Sequence, residues 1–228
     1  MVENAPGDSS PDIAANHRFE KLSPHEYPAD LQKAIAFHGH FCPGLAIGYR
    51  AARTALQHLG VTRAEDEELV AIVESDGCGI DAVQALAGCT IGKGNLIFRD
   101  YGKQAYTLAC RRTNQAVRIA VTGESDPLRP EQEQLKTAVW QGQATPAEEQ
   151  EWHQIQQARI ARLLSAPEEK LFKIESLPDF ARNLPEKAQI FPSVICAYCG
   201  EKVMEARARL RNGKIACLAC TTEYHRGW

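Results

Sequence analysis

No stretch of this sequence stays apolar for the roughly 18 residues that a membrane-crossing helix needs, so no membrane partner is expected. It has no basic excess: the formal net charge is -3, which leaves no general footprint for nucleic acid, and nucleic acid is not an expected partner. Residues 1–16 are polar, without a basic start leading into an apolar stretch, so a secretory signal is not expected. Residues 1–19 read as a disordered lead-in. No internal repeat is visible. Gly92-Lys93-Gly94 lacks the remaining glycine and the following Ser or Thr of a P-loop, which excludes that form of phosphate binding.

What is present is a chain of 228 residues with 44% hydrophobic content, enough for one medium domain with its own core and a small appendage. Asp30 is placed to cap a helix whose Leu31, Ile35 and His38 share one face. A second helix begins after Cys42, with Pro43 in its first turn, where a missing N–H costs nothing. Its apolar stripe is Leu45, Tyr49, Ala52, Leu56 and Leu59. Gly44, Gly48 and Ala52 make a row of small residues for close packing, and Gly60 ends the helix. Strands are predicted over 69–73, 96–98, 106–110 and 117–121, with a helix over 80–87. Helices followed by clustered strands indicate α+β: a mixed helix and sheet core over 20–125.

Between Asp126 and Ala166 the composition turns polar, with eight glutamines. Two helices are expected, over 127–141 and 146–164, the second opened by a Thr145-Pro-Ala-Glu148 capping box. Residues 126–190 then form a helical arm and a linker punctuated by Pro178, Pro185 and Pro192. The arm's apolar face, with Trp152, Ile155, Ile160, Leu163 and Leu164, is expected to cover either the core or a second copy of the chain. A strand is expected at 171–174.

Four of the eight cysteines stand near the C-terminus as Cys196-Ala-Tyr-Cys199 and Cys217-Leu-Ala-Cys220, with seventeen residues between the inner pair. Each CxxC closes a tight turn that aims two thiolates at one ion, and two such pairs complete a tetrahedral shell. Residues 191–228 are therefore expected to be a structural zinc finger that owes its fold to the metal. His225 is the nearby competing ligand. Val203–Leu210 is predicted as a strand, and Asn212-Gly213 as a hairpin turn leading into the return strand. The charged residues of 196–228 sum to +3, which suits an acidic partner as well as an ordinary solvated face.

The other cysteines need a separate account. His38-Gly-His40-Phe-Cys42-Pro43-Gly44 puts two imidazoles and a thiol within five residues. Cys42 at a helix N-terminus faces the positive end of the helix dipole, which favours thiolate. Cys78 falls in a strand-to-helix turn, where α/β architectures often present ligands, and Asp81 follows on the same helical side. His38, His40, Cys42, Cys78 and Asp81 are thus the candidate core metal site, and Cys42, His40 and Cys78 the candidate catalytic groups. The structural alternatives are a core histidine at 38 and a small buried residue at 42. A helix between Cys78 and Cys89 separates them by about 16 Å, so Cys89 stands apart; Cys110 reads as core. Gly92, Lys93, Gly94 and Asn95 make either an anion-binding nest or a plain glycine turn.

These residues carry a family resemblance. The run from His38 to Arg50, Cys78 with Asp81-Ala-Val-Gln84, Gly88-Cys89-Thr90-Ile-Gly92-Lys93-Gly94-Asn95-Leu96 and Asp100-Tyr-Gly102-Lys103 together resemble the E-subunit family of formylmethanofuran dehydrogenase. The resemblance implies an α+β core, a homodimer, a Cys/His site and an optional C-terminal zinc finger of treble-clef type. It also implies a protein partner in a molybdenum or tungsten enzyme system, although the sequence lacks the cysteine run of a ferredoxin-like cluster. The expected function is that of a cytoplasmic metal-binding protein serving one-carbon or molybdenum/tungsten enzyme metabolism, as an accessory or as an enzyme on a small, unidentified ligand. Its cofactors would be zinc in the finger and a second transition metal in the core: zinc, with iron or nickel as alternatives. Two other readings stay open: an adaptor docking through finger and arm, and a metal-free thiol enzyme using Cys42 with His40.

Overall fold

A computed structural model of the chain describes residues 27–122, 127–180 and 184–221. The expected lead-in at 1–19 and His225 lie outside the described residues. The chain divides into two compact units, Met1–Glu186 and Lys187–Trp228.

The first unit opens with helix α1 (Ala29–His38) and helix α2 (Pro43–Leu59). Pro28, not Asp30, stands at the N-cap of α1, without a side-chain cap. Asp30 sits one residue inside the helix, where its Oδ1 accepts the Leu31 N–H at 2.9 Å and the Tyr49 hydroxyl at 3.3 Å. It therefore ties α1 to α2 rather than starting a helix. The expected stripe of α2 is inside: Leu45, Tyr49, Ala52 and Leu59 are buried.

Strand β1 (Leu69–Val73), helix α3 (Gly79–Ala87) and strand β2 (Leu96–Phe98) form one parallel unit, with Ala71 opposite Leu96. Strands β3 (Ala105–Cys110), β4 (Gln115–Val121) and β5 (Phe172–Leu177) add antiparallel neighbours, giving the order β2-β1-β3-β4-β5. β1 and β3 are buried along their whole length, as continuous apolar runs require. The architecture is α+β.

The arm consists of α4 (Pro130–Trp140) and α5 (Pro146–Ser165), followed by the short α6 (Glu168–Leu171). The first arm helix begins three residues later than the composition suggested, at the proline that suits a first turn. The Thr145 capping box is formed: Glu148 Oε2 accepts the Thr145 N–H at 2.7 Å, and Thr145 Oγ1 accepts the Glu148 N–H at 3.3 Å. Trp152, Ile160, Leu163 and Leu164 are buried, so α5 covers the core with this face. Its C-terminal end is held by Arg50 of α2, whose guanidinium donates to the carbonyls of Leu163, Leu164 and Ala166 at 2.9, 2.6 and 2.8 Å.

The second unit is built of two small hairpins. β6 (Ser193–Ile195) pairs with β7 (Lys202–Met204), and β8 (Arg209–Arg211) with β9 (Lys214–Ala216). The expected strand over 203–210 is interrupted by a 3-10 turn at Glu205–Arg207, so its halves serve different hairpins. Asn212 and Gly213 both have positive φ, 48° and 72°, which is the backbone of a two-residue hairpin turn.

Candidate metal centres

The core site grows from the junction of three helices. His38 is the last residue of α1, and Gly39 behind it takes a left-handed conformation (φ 91°) while its N–H closes the helix on Ile35. This reversal brings His40 back against His38, with ring centroids 4.5 Å apart. Cys42 follows as the N-cap of α2, its sulfur accepting the Leu45 N–H at 3.3 Å. His38 Nε2 lies 3.8 Å from Cys42 Sγ. One donor atom from each of His38, His40 and Cys42 falls within 4.8 Å of the other two, a spacing at which three ligands can share an ion. The donor set, two imidazoles and a thiol, suits zinc, iron or nickel.

Helix α3 brings the remaining candidates. A Cβ added at Gly48 would overlap the backbone of Gly79, so the missing side chain is what lets α3 cross α2 this closely. One turn earlier, a Cβ on Gly44 would stand 3.1 Å from the Cys78 Cβ and 3.8 Å from the Cys42 sulfur. The small-residue row of α2 thereby sets the Cys78 thiol beside that of Cys42. Asp81, one turn into α3, takes a different position from that of a first ligand. Its Oδ2 accepts the His38 Nδ1–H at 2.7 Å, so the carboxylate stands behind the imidazole.

The helix terminus does not make Cys42 acidic. Burial pushes its thiol up, the neighbouring Cys78 adds to this, and the Leu45 N–H opposes it. A thiol in that setting loses its proton to a metal cation more readily than to solvent.

A cleft of about 350 Å³ opens beside the cluster, reached by His38, Cys78, Asp81 and Gln84. Ile91 (74% exposed) and Phe98 (50%) form an apolar lip.

The other candidates are occupied with structure. Lys93 sends its ammonium to the carbonyls of Glu65 and Asp66, and Asn95, fully buried, donates to Asp66 and Leu69 and accepts from the Thr90 N–H. The N–H groups of Lys93 and Gly94 bond to Thr90 Oγ1 and the Ile91 carbonyl. The turn at 92–95 is thus spent on holding the loop before β1, instead of presenting N–H groups to an anion. Cys89 is buried at the far end of α3 from Cys78, and burial pushes its thiol up to about 12. Cys110 is buried in β3.

In the finger, donor atoms of Cys196, Cys199, Cys217 and Cys220 lie within 4.8 Å of one another. Cys196 is drawn down to about 6 by N–H groups of Cys199, Cys217 and Tyr198. Cys220 is pushed up to about 12, chiefly by the Cys217 and Cys199 sulfurs beside it. Four thiols this close resist joint ionisation, and a divalent cation at their centre removes that conflict.

The model of the family described as "FmdE, Molybdenum formylmethanofuran dehydrogenase operon" matches residues 37–173, a span that starts one residue before His38 and holds every core candidate. The chain belongs to the FmdE family. Residues 189–226 match the prokaryotic dksA/traR C4-type zinc finger, which together with the four-cysteine cluster makes this end a zinc-binding module. A crystal structure of an FmdE-like protein of tungsten formylmethanofuran dehydrogenase from Syntrophus aciditrophicus is similar, with a TM-score of 0.54 and 25% identity over 89% of this chain and 94% of that one. A curated relative from Archaeoglobus fulgidus, described as a probable S-adenosyl-L-methionine-binding protein, is 31% identical over 99% of this chain. The chain spans 62% of that relative's length. Among the described residues, no helix of this FmdE-family chain is long and apolar enough to cross a membrane.

Sequence reasoning placed Gln84 in the Asp81-Ala-Val-Gln84 motif and gave it no role. Its place one turn beyond Asp81 on α3 is the signal that could have found one, since its Nε2 donates to Asp81 Oδ1 at 3.1 Å.

Proposed function

We propose that this metal-binding FmdE-family protein holds a second transition metal at His38, His40 and Cys42, and acts through it as an accessory or small-substrate enzyme in one-carbon or molybdenum/tungsten enzyme metabolism. The metal is zinc, with iron or nickel as the alternatives the donor set admits. The observation that carries this reading is the mutual approach of three donor atoms within 4.8 Å, next to an open cleft. Three protein ligands leave a fourth position for water or substrate, or for the Cys78 thiol beside Cys42. When bound, the metal supplies Lewis acidity at that position. The chain's own residues do the rest: Asp81 orients His38, and Ile91 and Phe98 give the cleft an apolar entrance.

The relative's name makes S-adenosyl-L-methionine a ligand class for trial, and the family resemblance supports a homodimer and a molybdenum or tungsten enzyme partner. Reduced thiols in both clusters fit a cytoplasmic setting. The adaptor reading is favoured by one observation. The finger exposes Ile195, Leu210 and Leu218 among basic side chains, a surface suited to a protein partner. The metal-free thiol enzyme is disfavoured, because Cys42 is pushed away from thiolate.

Elemental analysis of the full chain tests the proposal. Two ions per chain, falling to one in Cys42→Ser and in His40→Ala, is the expected result. A single ion in the unsubstituted chain, unchanged by either substitution, would leave the core without metal and return the adaptor reading to first place.

A further inference from the structure

Behind the proposed metal ligands stands a three-residue hydrogen-bond chain. Gln84 Nε2 donates to Asp81 Oδ1 at 3.1 Å, and Asp81 Oδ2 accepts the His38 Nδ1–H at 2.7 Å. His38 then has only Nε2 left, and that nitrogen points to Cys42, 3.8 Å from its sulfur. Gln84 and Asp81 stand one turn apart on α3, while His38 ends α1, so the chain spans two elements. We infer that Gln84 is a positioning residue of the core site: through Asp81 it fixes the Nδ1–H tautomer of His38 and aims Nε2 at the metal position. This inference rests on the proposed core metal.

The physical case is one of freedom removed. A carboxylate has two oxygens and about four lone-pair directions, and it rotates about its terminal torsion with little resistance. Asp81 is one-third exposed, so water competes for both oxygens. An amide donor on Oδ1 fixes the carboxylate plane and leaves Oδ2 facing the imidazole. An imidazole that donates from Nδ1 must present a lone pair at Nε2, which is the form that binds a metal. Gln84 suits this task in a way that a charged neighbour would not. Its amide donates without adding charge, so it neither competes with the metal for Asp81, as a lysine would, nor repels the carboxylate, as a glutamate would.

The test uses the full chain with zinc retained in the finger. Two readouts separate the relay from the metal. Nitrogen-15 NMR of His38 before metal is added reports its tautomer, and a Co²⁺ titration followed in the visible region reports affinity at the core site. In Gln84→Leu we expect a smaller share of the Nδ1–H tautomer and a core affinity about tenfold weaker, at the lower end of the loss that outer partners of metal ligands cause. Asp81→Asn should lose at least as much, and the double variant should lose no more than Asp81→Asn alone, since Gln84 acts through Asp81. Gln84→Glu supplies a signature that packing cannot imitate. While protonated, the glutamic acid donates to Asp81 as the amide did; once ionised, it repels Asp81. Core affinity relative to the unsubstituted chain should therefore fall as pH rises. Losses that add in the double variant, or a Gln84→Leu chain with unchanged tautomer and unchanged affinity, would overturn the inference. An unsubstituted chain that takes no Co²⁺ at the core overturns the metal reading and this inference with it. A tautomer shift in Gln84→Leu would still identify the hydrogen-bond relay, now as a structural feature.

Discussion

Gly48 carries no chemistry, yet it decides where the chemistry sits. Any Cβ at this position would press into the Gly79 backbone, and backbone cannot swing aside as a flexible side chain can. Gly79 is equally confined, since a Cβ there would meet the Tyr106 hydroxyl. Gly48→Ala should therefore force α3 away from α2, and Cys78 away from Cys42. Over-packing of this kind costs about 1–3 kcal/mol, with the upper end expected where the obstacle is main chain. A urea unfolding series would show the lower midpoint. Cys42 and Cys78, which now influence each other's ionisation, should then react as independent thiols in a labelling assay.

At the level of elements, the arm depends on one buried cation. α5 ends at Ser165, and the last carbonyls of a helix have no partner within it. Arg50 reaches from α2 to three carbonyls at that end, a position where positive charge also meets the negative end of the helix dipole. Burial draws its guanidinium below the usual arginine value, with Glu168 opposing that shift. Thr54, one turn on, bonds Glu168 Oε1 at 2.6 Å and closes the same seam. Arg50→Met keeps the apolar stem but leaves the carbonyls unpaired. We expect a loss of about 3 kcal/mol, the cost of unsatisfied buried acceptors, measured by denaturant titration. The helical content of α4 and α5 should loosen before the sheet does, visible as faster amide exchange over 130–165.

At the level of the whole molecule, the two units answer to different conditions. The first is held by its core and by ion pairs such as Glu74 with Arg118, at 2.7 and 2.9 Å, which links the end of β1 to β4. The Arg118 guanidinium holds the Glu74 carboxyl below its ordinary value of 4.5. Because the folded protein binds this proton more weakly than the unfolded chain, the pair contributes stability above pH 4.5, and that contribution is lost as pH falls through the depressed value. Arg118→Met should flatten the fall of the urea midpoint between about pH 5 and pH 3. The second unit has short strands and few buried side chains, so its fold rests on zinc. A strong chelator should expose 187–221 to protease while 27–122 stays protected; equal cleavage of both regions would contradict this division.

The sequence alone determined the local structure and the finger. Periodicity located α2, capping chemistry located α5, and the CxxC spacing located the zinc ligands, because each is a contact between residues near in the chain. The motifs from His38 to Lys103 were enough to indicate the family. What the sequence left open was settled by contacts between distant segments. Whether α5 covered the core or another copy of the chain depended on its burial against α2. That Asp81 stands behind His38, that Lys93 is spent on a loop, and that Cys42 is pushed away from thiolate all depend on how closely α3 lies on α2 and how the loop before β1 folds back. Spacing along a chain measures distance only within an element. The distance between elements is set by packing, here by two glycines that have no side chain to keep the helices apart.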